Sequence, residues 1–199
     1  MVAGSNPAGP TNKNNMGCDI HMYLEYTDKK ELKEAKKNGK APYWRDFAGH
    51  INPGRNYDMF GFISQGVRSN HKNGLPPKGL PPFEELGYYS RNDSVCYISD
   101  SPSENTVTLE TAMRWAESGR LKIIKDRNDK PCWVEHPDWH SHTWLTTKEF
   151  ETAINRYAKY CSSSEYDFGV PIEYMALLSA MKTFEENGYV SRMIVWFDN

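Results

Sequence analysis

Three short stretches of this 199-residue chain hold groups that do chemistry, at spacings a folded backbone turns into neighbours. The first is Met16 to Tyr26, MGCDIHMYLEY. Written as a strand, it sends Cys18, Ile20, Met22, Leu24 and Tyr26 to one face and Asp19, His21, Tyr23 and Glu25 to the other. Positions two apart on a strand lie about 7 Å apart on one side, so Asp19 and His21 are spaced to share a divalent cation or one phosphate. Tyr23 adds a phenol to that catalytic face. The second stretch, Asp138 to Leu145 (DWHSHTWL), repeats the geometry with His140 and His142, and Trp144 continues their face. Imidazole is the commonest metal donor, so a strand carrying this pair beside the first would assemble Asp19, His21, His140 and His142. That mixed set suits a divalent zinc, manganese or iron ion better than calcium. The third is Arg55-Asn56-Tyr57-Asp58, where Arg55 is a fork for phosphate, Asp58 a catalytic carboxylate or further ligand, and Tyr57 a ring for stacking.

Each stretch also has a plain structural alternative. One wet sheet face needs no further reason for polar residues. The histidines of HSH can simply hydrogen-bond to loops and hold the junction into the next helix. Asn56 before an apolar run is a natural N-cap. Arg68, His71, Lys72 and Lys78 sit in a Pro-rich loop that is either a basic flap over phosphate or a solvated connection.

Composition bounds the rest. A net charge of −2 gives no global pull towards nucleic acid or anionic membrane. Cysteines 18, 96, 132 and 161 lack CxxC spacing and read as reduced thiols of a cytoplasmic protein, with Cys18 on the apolar face of its strand and therefore packing rather than nucleophilic. There is no secretory h-region and no apolar run of membrane length. GxSxG, Walker, HExxH, GxGxxG and zinc-deaminase patterns are missing. One metal-free scheme uses two histidines as acid and base across a phosphodiester, as in the two-histidine phosphoesterases. Those carry Thr or Ser two residues after each histidine, where this chain has Tyr23 and Trp144.

The elements that must position these groups follow from periodicity. Residues 1–15 read as a disordered leader or tag, and 16–199 as a single α+β domain with a flexible Pro-rich loop at 68–83. Asp28 to Lys37 is an exposed helix or charged hairpin tip, Pro42 to Phe47 a short returning strand, and Tyr57 to Val67 a short buried helix. Val95 to Ile98 is a strand, Thr108 caps a helix that ends at Gly119, and Leu121 to Lys125 with Cys132 to Glu135 forms a hairpin. Thr146 and Glu149 form a capping box ahead of a helix whose stripe is Phe150, Ala153, Ile154, Tyr157, Ala158 and Cys161. A helix after Pro171 is expected to turn Ile172, Met175, Ala176, Ala180 and Phe184 inward, and Tyr189 to Phe197 is a last strand. The fold class is α+β: a mostly antiparallel β-sheet with two to three helices packed on one face.

With MGCDIHMYLE, GRNYDMFGFIS, HSHTWLT and the terminal IVWFDN in that order, the chain resembles a family of small uncharacterised proteins of bacteriophages and prophages. The resemblance runs from Met16 to Asn199. It groups Gly17, Cys18, Asp19 and His21 with Arg55, Tyr57, Asp58 and Phe60, with His140, His142, Trp144 and Leu145, and with Asp198. It implies a mobile-element origin and a site of action in the host cytosol, and it implies no reaction. Together these readings favour a metal-dependent hydrolase acting on a phosphodiester or nucleotide, for instance a host defence signal. Asp19, His21, His140 and His142 would hold the metal; Asp58, Arg55 and Tyr23 would act in catalysis; Arg55, Tyr57, Trp144 and Arg68 would hold substrate. The alternative is a non-catalytic sponge for a nucleotide or small phosphorylated ligand, or an inhibitor docking on a host defence protein. Neither reading sets the oligomeric state.

Overall fold

The alternation beginning at Cys18 does make a strand. In a computed structural model, which describes residues 17–198 apart from 102, 104, 118, 120 and 164–168, β1 runs over Ile20–Asp28. The expected leader lies outside the described residues. β8 (Tyr189–Phe197) pairs with β1 antiparallel along its whole length, from Ile20 opposite Phe197 to Asp28 opposite Tyr189. β2 (Arg45–Asp46) extends the sheet beyond β1, and β7 (His140–Thr146) extends it beyond β8, giving the order β2-β1-β8-β7. α1 (Lys29–Lys37) is the exposed charged helix, capped by the Asp28 carboxylate.

One face of this sheet carries α2 (Tyr57–Ile63), α5 (Thr147–Ser162) and α6 (Ile172–Glu186). Ile20, Met22 and Leu24 from β1 and Met193, Val195 and Phe197 from β8 close the main core beneath them. The α5 capping box forms as expected, and Asn56 caps α2 by accepting from the Met59 N–H at 3.0 Å. α6 presents a different main face from the expected one: Tyr174, Leu177, Leu178 and Met181 are buried, Ala180 and Phe184 pack against the core as expected, and Ile172, at 74% exposure, Met175 and Ala176 face outward. Apolar residues surround this helix, so periodicity alone leaves the face open, and the sheet selects the larger side chains.

The second face of the sheet is not wet. Tyr23, Ile194 and Trp196 are buried under Leu86, with Trp139 and Trp144 beside them. Leu80, Phe83 and Leu86 of the segment before α3 supply this cover, and Phe83 in turn meets Trp133 of a smaller sheet of order β4-β3-β6-β5, made of Thr106–Val107, Val95–Ile98, Pro131–Glu135 and Ile123–Lys125. α4 (Leu109–Glu117) packs on it through Ala112, and α3 (Tyr88–Asp93) leads into β3. The α+β class therefore stands, with six α-helices among the described residues and a second sheet beyond the expected one. The Pro-rich loop is anchored at its far end: the Lys78 N–H donates to Thr143 Oγ1 and the Gly79 N–H to the His142 carbonyl, covering the outer edge of β7. Among the described residues no helix is long and apolar enough to cross a membrane.

A buried ion pair ties the covering layer to the sheet. Glu25 and Arg192, 0% and 4% exposed, are direct cross-strand partners, with Arg192 Nε donating to Glu25 Oε2 at 2.7 Å. Glu25 Oε1 also accepts from the Gly87 N–H at 2.9 Å and from the Ser90 hydroxyl, and Arg192 Nη2 donates to the Glu85 carbonyl at 2.6 Å. A Cβ at Gly87 would stand 2.5 Å from Asp46 Oδ1 and 2.9 Å from Glu25 Oε1, so only glycine admits this approach. Arg192→Met is expected to cost about 3–5 kcal/mol of unfolding free energy by stranding the Glu25 carboxylate. A urea denaturation curve reads this loss, and Glu25→Leu combined with Arg192→Met should recover part of it.

Candidate functional site

The two histidine-bearing strands are not neighbours, because β8 lies between β1 and β7. A one-strand gap puts them about 10 Å apart. The HxH spacing also fails to give one face. His140 pairs with Phe197 and Thr143 with Val195, so the chain bulges between them, and Ser141 takes a left-handed φ of 52°. His140 thus shares the helix side with Phe197, while His142 lies beside Trp196 on the other side, with ring centroids 6.0 Å apart. Among the described residues no three His, Cys, Asp or Glu side chains come together as metal ligands. Asp19, His21, His140 and His142 do not fit a shared ion, and no step is assigned to one.

His21 meets different company. Its Nε2 lies 3.1 Å from Asp198 Oδ2, and the other Asp198 oxygen accepts from the Asp19 N–H at 2.9 Å. A carboxylate can only accept, so the neutral ring carries its proton on Nε2 and keeps its lone pair on Nδ1. The ring is sandwiched between His50, centroids 4.6 Å apart, and Trp139, 4.5 Å away; Trp139 in turn stacks on His136 at 4.0 Å. Below lies Tyr23, whose hydroxyl donates to Asp93 Oδ2 at 2.8 Å, and Trp139 Nε1 donates to the Asp93 carbonyl at 2.7 Å. These groups border a cavity of about 210 Å³.

Burial holds the His136 imidazole below its ordinary range, and burial with the adjacent His21 does the same to His50. Burial, together with the Asp93 carboxylate, pushes the Tyr23 phenol well up, so it stays protonated and serves as a fixed donor rather than a base. The pocket therefore offers two rings biased towards the neutral form beside one ring oriented by a carboxylate.

The remaining expected residues divide among three places. Arg55 forks onto Asp19 at 2.7 and 2.8 Å, and this hydrogen-bonded pairing lowers the Asp19 carboxyl. The chain Arg55, Asp19, Asp198, His21 is thus continuous. Tyr57 accepts from the Cys18 N–H, and the Arg68 guanidinium lies 5.8 Å over the Tyr57 ring while donating to the Gly17 carbonyl. Cys18 is buried in the main core as expected, and burial raises its thiol. Trp144 lies under Lys78 Nζ at 3.5 Å, and Lys78 and His142 both border a larger cavity of about 710 Å³. Asp58 pairs with His71 on the helix side of the sheet, away from His21. His50, Asp93, His136 and Trp139 went unassigned in the sequence. His136 and Trp139 stand within four positions of His140, the one local signal available; His50 sits in a loop and Asp93 ends α3, and both reach the site only through tertiary contact.

His142 supplies a pH test. Burial, aided by the charge of His140, holds its pKa at about 4 against an ordinary 6.5. The unfolded chain gains this proton below pH 6.5 and the folded chain only near pH 4, so stability is complete above 6.5 and falls as pH drops between those values. The loss attributable to this group is roughly 3 kcal/mol. His142→Phe should remove that part of the slope in denaturation curves taken at pH 7 and at acid pH.

The chain matches no family model, no curated protein and no solved structure.

Proposed function

We propose that the His21 pocket is a hydrolytic centre for a phosphodiester or nucleotide, in which imidazoles carry the proton transfers. The observation that carries this reading is the Asp198-oriented His21 ring set among His50, His136 and Trp139. A base held in one tautomer by a carboxylate is the arrangement general-base catalysis requires. His21 Nδ1 would take a proton from water, with Asp198 stabilising the imidazolium that forms. The proton that His21 takes from water would then pass to the leaving oxygen, with the neutral His50 and His136 rings lining the same pocket. The Trp139–His136 stack supplies a flat aromatic wall for a base. Resemblance to phage proteins makes a host nucleotide signal the substrate class to test first.

Incubation of the purified protein with a panel of linear and cyclic nucleotides, read by mass spectrometry, tests the proposal. His21→Gln and Asp198→Asn are expected to slow hydrolysis by roughly 10²–10⁴-fold while leaving nucleotide binding in place, and chelation of divalent ions should leave the rate unchanged. A nucleotide bound tightly but recovered intact would assign sequestration instead, and a rate abolished by chelation would return the chemistry to a metal ion.

A further inference from the structure

On the helix side of the main sheet, Asp58 and His71 form a second carboxylate–imidazole pair, with Asp58 Oδ1 2.9 Å from His71 Nε2. The His71 ring lies flat on Phe62, centroids 4.1 Å apart and planes 12° apart, and meets Tyr160 edge-on at 4.7 Å. It borders a hollow of about 280 Å³ together with Lys72, Arg156, Lys159, Tyr160 and Ser163. This hollow shares no lining residue with the cavity around His21.

The charges here are unbalanced. Among the described residues no carboxylate is paired with Lys72, Arg156 or Lys159, although Lys78, Lys125 and Lys182 each have an acidic partner. Arg156 donates to the Asn73 carbonyl, which fixes the guanidinium against the loop without neutralising it. The C-terminal pole of α5 accounts for Lys159 in its last turn. It does not account for His71 and Lys72, which the Pro-rich loop brings to the same place. Like charges crowded around one hollow repel, and a bound anion relieves that repulsion.

We propose that this hollow is a second ligand site, for the phosphate group of a small phosphorylated molecule. Lys72, Arg156 and Lys159 supply the charge, and Asp58 fixes the His71 ring at the wall. The volume admits a phosphate with a sugar-sized attachment and is too small for a folded partner.

Titration calorimetry of the full chain with inorganic phosphate and with adenosine monophosphate tests this, using wild type, an Arg156→Gln/Lys159→Gln double variant and His21→Gln. Saturable binding of either probe that the double variant weakens roughly tenfold or more, and that His21→Gln leaves unchanged, is the expected result. Thermal unfolding of the double variant should stay within a few degrees of wild type, since Lys159 is exposed and Arg156 gives up one hydrogen bond, to the Asn73 carbonyl. Undiminished binding in the double variant, binding lost only with His21→Gln, or binding confined to a single-stranded oligoribonucleotide with neither small probe held would each overturn the proposal.

Discussion

Glu25 and Arg192 carry opposite charges into a layer that excludes water, and the placement of everything on the second face of the main sheet depends on their meeting. Taking two ions out of water costs several kcal/mol each, and only good geometry with further hydrogen bonds offsets it. Glu25 receives three donors, from Arg192, Gly87 and Ser90, and Arg192 reaches the Glu85 carbonyl while lying 3.8 Å from the Trp44 ring centroid. Because the two are direct cross-strand partners, a one-residue slip of β8 against β1 would move Arg192 to the opposite face and leave a bare carboxylate behind. The pair therefore specifies register as well as attaching the segment from Glu85 to Ser90.

From that attachment the candidate pocket follows. α3 starts at the Gly87 N–H held by Glu25 and delivers Asp93 above Tyr23. The Asp93 carbonyl holds the Trp139 indole, and Trp139 closes against His21. On the other flank, Asp198 follows the last residue of β8 and reaches back to both the Asp19 N–H and His21. The ring that could act as a base is thus located by the two ends of the described chain and by the covering layer between them.

The two carboxylate–imidazole pairs, Asp198–His21 and Asp58–His71, lie on opposite sides of one sheet and differ in their surroundings. The first is set among aromatic rings and neutral imidazoles with its cation, Arg55, already forked onto Asp19. The second stands among cations that have no acidic partner among the described residues. The proposed roles differ accordingly, proton transfer among aromatic walls in the one and anion holding by uncompensated charge in the other. A chain of net charge −2 accommodates both because each local field is built from a few residues.

Much of the fold was legible because local chemistry and tertiary placement agree. The period-two pattern of β1, the apolar run of β8, the Thr146–Glu149 box and the stripe of α5 each specify an element within a few residues. Of the second sheet, β3 and the β5–β6 hairpin were legible, whereas β4 spans only two residues and carries too little periodicity to read. The face of α6 was open for a related reason, its apolar residues lying all around. What the sequence by itself determined was the α+β class, the inward face of β1 and the presence of imidazoles and carboxylates on strands. Tertiary structure decided which of them meet. The strand order places β8 between β1 and β7, and the left-handed Ser141 turns His140 away from His142. Pairing order and a single bulge are settled by packing energies summed over the whole sheet, which no local spacing encodes.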